Sequence, residues 1–276
     1  MQLSFAKYEG LANDFVIVDA AAVGPALSPA LAVRICDRHL GVGADGVLLL
    51  GHTNDRAQMK VLNADGSIPE MCGNGIRCVA LHLSRTGRTS TASFEIDTDA
   101  GPHICRVLQA GPSSLVEVLT RAPSLAPADV PVVADAPVID AAFELGERTL
   151  LVTAVSMGNP HAVTFEDVGE QRRTLGPLLQ SHPRFPHRAN AGFARLVAPN
   201  VIELTVLERG VGWTRACGTG ACAAAVAAVE TGRAPRHEPI EVRLSGGSLA
   251  IVVGDAGQRL SMTGPARHVF DGTIEL

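Results

Sequence analysis

This chain of 276 residues lacks several features that would place it in common classes of protein. It has no block of like charges and a net charge of −5, so nucleic acid and anionic membrane surfaces are poor partners. No apolar run approaches the roughly 18 residues of a membrane-spanning helix. The mildly apolar stretch 20–33 contains two prolines and follows no basic segment, unlike a secretory signal. We therefore expect a soluble, cytoplasmic protein with no membrane or nucleic-acid partner.

The sequence also lacks the motifs that are typical of metal and cofactor sites. It is long and not rich in cysteine, so structural disulfides are not expected among its six cysteines. The pairs Cys72/Cys78 and Cys217/Cys222 would each lie along one helix, which disfavours zinc. No lysine sits in a motif typical of pyridoxal phosphate, and the glycine-rich stretch 41–46 precedes no clear helix, which disfavours dinucleotides. We expect neither a metal nor a cofactor.

One short pattern occurs twice. Cys-Gly-Asn-Gly begins at Cys72 and Cys-Gly-Thr-Gly begins at Cys217, and an apolar, helix-like run follows each copy. Asn13 and Asn159 are separated by nearly the same offset as the two cysteines, which indicates a duplication. A thiol at a helix start lies in a positive field that favours thiolate, and the uncovered N–H groups there suit a carboxylate. Two such thiols suggest paired acid–base chemistry.

The remaining pattern favours strands around central helices. The run 221–229 is apolar on all sides, so it predicts a helix covered all round by a curved sheet. The copy after Cys72 contains Arg77 and His82, and we expect that helix to be less enclosed. Prolines between 121 and 138 predict an irregular connection between two halves. Short helices are expected at 29–39 and 175–180, and strands at 15–18, 47–50, 94–97, 116–119, 150–154, 201–207, 240–244 and 249–253.

Several polar residues near these motifs are candidates for a site. Glu208 and Arg209 end a strand-like run shortly before Cys217; they are either a surface ion pair or a grip for an ammonium and a carboxylate. His161 follows a Gly-Asn-Pro turn; taken alone, such a residue is more often a loop histidine with satisfied hydrogen bonds than a catalytic one. Cys36, Cys78, Cys105 and Cys222 are interpreted as core residues. Four asparagines in echoed loops could be turn residues, but we interpret them as amides that bind a polar ligand: Asn13, Asn63, Asn159 and Asn190.

These residues lie in motifs that closely resemble those of the diaminopimelate epimerase family. The motifs are 10–15 (GLANDF), 41–45 (GVGAD), 63–67 (NADGS), 71–78 (MCGNGIRC), 158–161 (GNPH), 208–212 (ERGVG), 216–222 (ACGTGAC) and 262–266 (MTGPA). The resemblance covers nearly the whole chain. It implies an α+β fold of two pseudo-symmetric domains, each a mixed, mostly antiparallel β-sheet or barrel around a central α-helix. The domains would comprise 1–120, completed by 264–276, and 121–263.

The resemblance further implies a cofactor-independent epimerase of LL- and meso-diaminopimelate, compatible with a homodimer. Cys72 and Cys217 would exchange protons with opposite faces of the α-carbon, assisted by His161 and Glu208. The remaining residues would bind substrate: Gly73, Asn74, Gly218 and Thr219 at the reacting carboxylate, and Asn13, Asn63, Asn159, Asn190, Arg209 and Glu208 at the distal end. The sequence departs from the family at Ala12, where glycine is usual, and at Trp213, where glutamate is frequent.

Two other functions fit some of the same residues. A racemase of proline, hydroxyproline or histidine would use the same two thiols. The full set of asparagines with Glu208 and Arg209 disfavours a proline-like substrate, which has no second amino-acid end to bind. A non-catalytic binding or thiol-redox protein would keep the anion pockets without turnover.

Overall fold

The computed structural model describes residues 2–24, 28–53, 56–69, 71–89, 91–111 and 114–275. The chain forms two compact units, one of Met1–Leu119 with Thr263–Leu276 and one of Thr120–Met262. The strands are β1 (Gln2–Gly10), β2 (Asn13–Asp19), β3 (Gly46–Thr53), β4 (Arg56–Asn63), β5 (Ser93–Thr98), β6 (Gly101–Gln109), β7 (Ser114–Leu119), β8 (Ala141–Leu145), β9 (Arg148–Ser156), β10 (Pro160–Thr164), β11 (Asn190–Ala198), β12 (Val201–Glu208), β13 (Gly212–Thr214), β14 (Pro239–Leu244), β15 (Gly247–Val252) and β16 (Ser261–Glu275). The helices are α1 (Ala20–Val23), α2 (Pro29–Cys36), α3 (Gly73–Arg85), α4 (Arg172–Gln180) and α5 (Gly218–Glu230), with a 3-10 turn at Gly169–Gln171.

The first unit is a closed barrel. Strands β1 to β7 follow one another in order around it, and β16 pairs with both β7 and β1. Antiparallel pairing of β16 with β1 extends from Gln2 opposite Glu275 to Glu9 opposite Arg267. The pairs β2–β3 and β4–β5 are parallel, so the sheet is mixed. Helix α3 contacts β1, β2, β6 and β7, which makes it the central helix of this barrel.

The second unit repeats the plan with a different strand order. Its sheet runs β8-β9-β10-β11-β12-β14-β15, and the short strand β13 pairs with β12. Parallel pairing occurs at β10–β11 and β12–β14. Helix α5 contacts β9, β10, β11, β12, β14 and β15, because its alanine-rich surface lets strands approach from every side. Each unit thus has the mixed sheet around one helix that the α+β class predicts.

The expectation that α3 is less enclosed than α5 is wrong. Ten of the thirteen residues are buried in each helix. Arg77 has no exposed surface, because its guanidinium reaches oxygen acceptors inside the barrel. Its Nε donates to the carbonyl of Pro265 at 3.2 Å and its Nη1 to the carbonyl of Gly73 at 2.9 Å. A charged side chain can be buried when its donors are satisfied in this way.

The segment 121–138 is irregular, as its prolines predict, but it is not a bare connection. Val130, Val132 and Val138 are buried in a core cluster with Phe143 and Leu179. The segment belongs to the second unit and completes that core. The expected strands all fall within observed ones, except that β15 ends one residue before Val253. The helix expected at 29–39 ends at Cys36, and the one expected at 175–180 begins earlier, at Arg172.

Candidate active site

Each unit places a cysteine at the start of its central helix. Cys72 is the N-cap of α3, with φ −136° and ψ 111°, and its Sγ accepts the N–H of Gly75 at 3.3 Å. Cys217 is the N-cap of α5, with φ −133° and ψ 103°, and its Sγ accepts the N–H of Gly220 at 3.3 Å. The sulfur thus takes the place of the usual serine or aspartate oxygen at an N-cap. The repeated pattern therefore encodes the same local structure twice.

The second glycine of each motif leaves room for the sulfur. A Cβ on Gly220 would lie 3.1 Å from Sγ of Cys217 and 3.1 Å from Cγ2 of Val206. A Cβ on Gly75 would lie 2.9 Å from Cδ2 of Leu48 and 3.4 Å from Sγ of Cys72. Both glycines donate their N–H to the thiol, so a larger residue would displace the atom that receives the bond. This packing explains why the spacing Cys-x-x-Gly is kept in both copies.

Cys217 is held as a thiol. Burial raises its pKa well above the ordinary value, and the nearby charge of Glu208 raises it further. Hydrogen bonds from Thr219 and Gly220 act in the opposite direction without overcoming that rise. The hydroxyl of Thr214 donates to the carboxylate of Glu208 and so holds the carboxylate in place. Cys72 differs because its side chain is partly exposed.

A chain of hydrogen bonds runs from His161 toward the same thiol. Nε2 of His161 lies 3.0 Å from Oδ1 of Asn159, whose Nδ2 donates to Oγ1 of Thr219 at 3.4 Å. That hydroxyl lies 3.7 Å from Sγ of Cys217. Burial lowers the pKa of His161 to about 3, and the charge of Arg209 contributes to the lowering. His161 is therefore a neutral imidazole, and the structure brings it, Asn159 and Thr219 together with Cys217.

Asn190 and Arg209 meet at the ends of neighbouring strands of the second unit. Oδ1 of Asn190 accepts the backbone N–H of Arg209 at 2.7 Å. Nη1 of Arg209 donates to the carbonyl of His187 at 2.9 Å, which directs the guanidinium. Because β11 pairs in parallel with β10, Asn190 is also the strand partner of His161. Three of the predicted residues are thus neighbours through the sheet.

In the first unit, two predicted asparagines belong to one hydrogen-bonded chain. Nη2 of Arg77 donates to Oδ1 of Asn74 at 2.8 Å. Nδ2 of Asn74 donates to Oδ1 of Asn13 at 3.1 Å, and Nδ2 of Asn13 donates to Oδ2 of Asp45 at 2.9 Å. This series of hydrogen bonds begins at the first turn of α3, next to Cys72. Arg77 and Asp45 lie in the quoted motifs, but sequence reasoning gave neither residue a role.

An ion cluster supports the far end of this chain. Arg38 donates to both Asp14 and Asp45, at 2.7 and 2.8 Å, and Lys7 pairs with Asp14 at 2.5 Å. Partial burial alone would raise the pKa of Asp14, but Arg38 and Lys7 outweigh it and lower the pKa to about 2. Lys7, a nearly buried lysine on β1, also donates to the carbonyl of Gly43. Sequence reasoning missed this cluster, because its members are spread over the first 45 residues.

Asn63 does not join this side-chain chain. Its Nδ2 donates to Oγ of Ser67 at 2.9 Å, within a turn that Asp65 also stabilises. A backbone bond, from the N–H of Ala64 to the carbonyl of Asp45 at 3.0 Å, links this turn to Asp45. The amide of Asn63 thus behaves here as a turn residue.

Trp213 packs away from the candidate residues. Its ring lies against Gly176 of α4, where a Cβ would come within 2.9 Å of it, and its centroid is 6.1 Å from that of Phe193. Because side chains alternate along a strand, the next residue, Thr214, faces the other way and reaches Glu208. Tryptophan in place of the family's frequent glutamate at position 213 therefore changes the packing against α4 and not the surroundings of Cys217.

The six cysteines all lie in described parts of the chain and are thiols rather than disulfides. Within the ranges that the structure describes, no group of three or more His, Cys, Asp or Glu side chains could hold a metal ion. Across those same residues, no helix has both the length and the apolar character needed to cross a membrane.

Comparison with known proteins gives consistent matches. The family model for diaminopimelate epimerase matches residues 5–125 and 153–269. The diaminopimelate epimerase of Desulforudis audaxviator is 48% identical over 277 residues, which cover 98% of this chain and 98% of that protein. The enzyme of the same name from Synechococcus elongatus is 46% identical over 284 residues, covering 100% of this chain and 99% of the other.

Solved structures show the same fold at much lower identity. A phenazine biosynthesis protein of the PhzF family from Bacillus anthracis superimposes with a TM-score of 0.71 at 14% identity and covers 100% of both chains. A hydroxyproline epimerase from Agrobacterium vitis superimposes with a TM-score of 0.69 at 15% identity, covering 100% of this chain and 93% of that one. At such identities the likeness concerns the fold alone.

Proposed function

Because this chain belongs to the diaminopimelate epimerase family, we propose that it interconverts LL- and meso-diaminopimelate, as an isomerase of lysine and peptidoglycan-precursor synthesis. The observation that carries the proposal is the pair of thiol-capped helix starts, Cys72 on α3 and Cys217 on α5. Inverting a carbon centre requires a base for one face and an acid for the other. A protein with two equivalent thiol sites has one group for each task.

The proposed reaction exchanges one proton and needs no electron transfer. A thiolate removes the α-proton, the electron pair remains on the α-carbon and its carboxylate, and the second thiol delivers a proton to the opposite face. We assign the thiol role at rest to Cys217, since burial and Glu208 raise its pKa. Cys72 is then the resting base for substrate of one configuration. The roles reverse for the other configuration.

The helix starts also supply an anion site. Backbone N–H groups at the N-terminus of a helix point at the ligand and favour negative charge. We propose that Gly73, Asn74, Gly218 and Thr219, in the first turns of α3 and α5, bind the reacting carboxylate. Donors aimed at the charge that develops there stabilise the carbanion more than the ground state. A dry site would strengthen this effect, and Asn74 and Gly218 are buried.

The distal end of the substrate carries a second ammonium and carboxylate. We propose that Glu208 and Arg209 bind these groups together with the amides of Asn13, Asn63, Asn159 and Asn190. The adjacent ends of β11 and β12, where Asn190 accepts the backbone N–H of Arg209, support the inclusion of these two residues. His161 assists as a neutral group that orients Asn159 and Thr219. Glu208 assists by keeping Cys217 protonated.

We also propose that the functional domains are residues 1–120 with 264–276 and residues 121–263, each with one of the two thiols. The enzyme works in the cytoplasm, without metal or organic cofactor. It is compatible with a homodimer, which the molar mass in solution would test.

Turnover of LL-diaminopimelate against a panel that includes proline, hydroxyproline and histidine tests the activity. We expect epimerisation of diaminopimelate alone, with deuterium entering the α-carbon in deuterated water. Turnover of proline or hydroxyproline instead would identify a racemase of that class, and no turnover of any member would favour a binding protein.

Single replacements test the two thiols. Cys72→Ala and Cys217→Ala should each abolish epimerisation, because each removes the acid or the base for one direction. Cys105→Ala, a buried thiol on β6, is the matched control and should keep most of the activity. Full activity in either of the first two variants would refute the two-thiol mechanism.

A further inference from the structure

The hydrogen-bond partners of Asn13 and Asn74 fix which side of each amide carries the oxygen and which carries the nitrogen. A guanidinium can only donate hydrogen bonds, so the atom of Asn74 that faces Arg77 must be its carbonyl oxygen. A carboxylate can only accept, so the atom of Asn13 that faces Asp45 must be its nitrogen. The bond between the two amides, from Nδ2 of Asn74 to Oδ1 of Asn13, agrees with both ends.

This orientation decides whether the two amides can donate to a ligand or accept from it. Each NH2 group has two N–H bonds, and the hydrogen bonds from Arg77 to Asp45 use one N–H of each amide. A second N–H therefore remains on Nδ2 of Asn13 and on Nδ2 of Asn74, while the carbonyl oxygen of each amide already accepts a bond. Reversing either amide would present oxygen instead. A carboxylate is an acceptor and would be repelled by that oxygen.

The two ends of the chain are held firmly. Arg77 is fully buried and is also bonded to Gly73 and Pro265. Asp45 has three partners that all donate to it: Arg38 at Oδ1, and the side chain of Asn13 and the N–H of Asp14 at Oδ2. Removing the acceptor at this position would take away the bond that holds the nitrogen of Asn13 on this side.

We propose that Arg77 and Asp45 are positioning residues that fix the amides of Asn74 and Asn13 as donors for a substrate carboxylate. This inference rests on the proposed function, since it concerns the substrate residues of that reaction. In the proposed function, Asn74 binds the reacting carboxylate of the substrate and Asn13 binds its distal end. A substitution of Arg77 that lets the amide of Asn74 turn should therefore lower kcat. A substitution of Asp45 that lets the amide of Asn13 turn should raise KM.

A double-mutant cycle between Asp45 and Asn13 tests the proposal. Asp45→Ala removes both acceptor oxygens, so the amide of Asn13 loses the bond that orients its nitrogen, and kcat/KM for diaminopimelate should fall about tenfold, the cost of one misdirected hydrogen bond to a charged group. The loss should appear mainly in KM. In an Asn13→Ala background the same change should cost less than about twofold, because the amide that it orients is gone.

The control and the opposing results are well separated. Arg38→Gln removes the exposed ion pairs of Arg38 with Asp45 and Asp14 but leaves Oδ2 of Asp45 to accept from Asn13, so kcat/KM should stay within about twofold. If Asp45→Ala lowers kcat/KM equally in both backgrounds, it acts through general damage and the proposal is wrong. A wild-type protein without turnover of diaminopimelate would instead refute the proposed function.

Arg77 gives a second test with its own control. Arg77→Lys keeps a group that only donates, whereas Arg77→Gln places a group that can also accept. We expect kcat to fall about tenfold further in Arg77→Gln than in Arg77→Lys. Equal values of kcat in two folded variants would overturn the assignment of Arg77. If near-ultraviolet circular dichroism shows that either variant is unfolded, the cycle at Asp45 decides the proposal.

Discussion

After burial itself, the carboxylate of Glu208 is the largest influence that raises the pKa of the Cys217 thiol. Thr214 fixes this carboxylate by a hydrogen bond, so the influence is built into the pairing of β12 with β13. The consequence is chemical. A carboxylate beside a thiol disfavours the thiolate, so Cys217 holds its proton more tightly than an ordinary cysteine does.

Without the negative charge of Glu208, the thiol of Cys217 should lose its proton more easily. In Glu208→Gln, the pKa of Cys217 should fall, because a neutral amide no longer repels the thiolate. Alkylation of Cys217, followed by mass spectrometry across a pH series, should show its midpoint moved to lower pH. Glu203→Gln, on the same strand but paired with Arg195 at the surface, should leave the midpoint where it is. An unchanged midpoint in Glu208→Gln would contradict the coupling.

A methyl group at position 220 should impair catalysis without unfolding the protein. In Gly220→Ala, the new Cβ would crowd the sulfur of Cys217 and the methyl group of Val206. We expect kcat to fall about 10- to 100-fold, since small displacements of a reacting group are costly. The preference of helices for alanine, about 1 kcal/mol, should offset part of the loss in stability.

The matched change is Gly192→Ala on β11, where the nearest atom to a new Cβ would be 3.6 Å away. That distance is an ordinary contact, so kcat should change little. Kinetics and urea unfolding of both variants make the comparison. Equal activity in Gly220→Ala and Gly192→Ala would argue against a packing role for Gly220.

Ala12 should be a source of strain. It occupies the two-residue loop between β1 and β2 with φ 58°, a left-handed conformation that glycine adopts without penalty. Ala12→Gly should raise the free energy of unfolding by about 0.5–1 kcal/mol, as relief of the left-handed strain exceeds the entropy lost with glycine. Ala6→Gly, within β1, should lower it. Urea unfolding would decide, and a destabilised Ala12→Gly variant would contradict the prediction.

His161 should make stability depend on pH. Its pKa is about 3 in the folded protein, because of burial and then the charge of Arg209, against about 6.5 in an unfolded chain. Between these values the unfolded chain binds a proton that the folded chain does not, so stability falls as pH decreases. The slope from this group approaches about 1.4 kcal/mol per pH unit below 6.5.

His161→Gln should therefore show a shallower decline of the free energy of unfolding between pH 6.5 and 5 than the wild type. His82, whose burial and whose neighbour Arg88 lower its pKa to about 4, contributes equally to both proteins and cancels in the difference. Nuclear magnetic resonance of the imidazole should show His161 neutral at pH 5. Equal slopes, or a protonated ring at that pH, would refute the assignment.

The sequence predicted the two cysteine-capped helices well, because the residues that determine a helix start are neighbours in the sequence. A cysteine followed by two glycines and an apolar run encodes a thiol-capped helix, and both copies form one. Most strands with a long apolar run were equally clear. By contrast, β1, β4, β6 and β11 are interrupted by charged residues, and the buried strand β10 is only five residues long, so these strands were missed.

Burial of polar groups was not predictable, because it depends on distant parts of the chain. Arg77 suggested an exposed helix face, yet its Nε bonds to Pro265, which is 188 positions away. The network of Asn13, Asn74 and Asp45 likewise needs three loops to meet. The roles assigned to individual site residues remain predictions that the variants above would test.

The closing strand of the first barrel has a consequence for how the protein is made. β16 pairs with β1 near the opposite end of the chain, and Pro265 on that strand receives a bond from Arg77. A growing chain thus exposes the edges of β1 and β7 until the last strand emerges, after the whole of Thr120–Met262. We expect a chain truncated after residue 262 and released from the ribosome to be cleaved by protease in the first unit while the second resists. The helix start at Cys217 would then be formed before the helix start at Cys72, whose barrel closes only after β16 has been made.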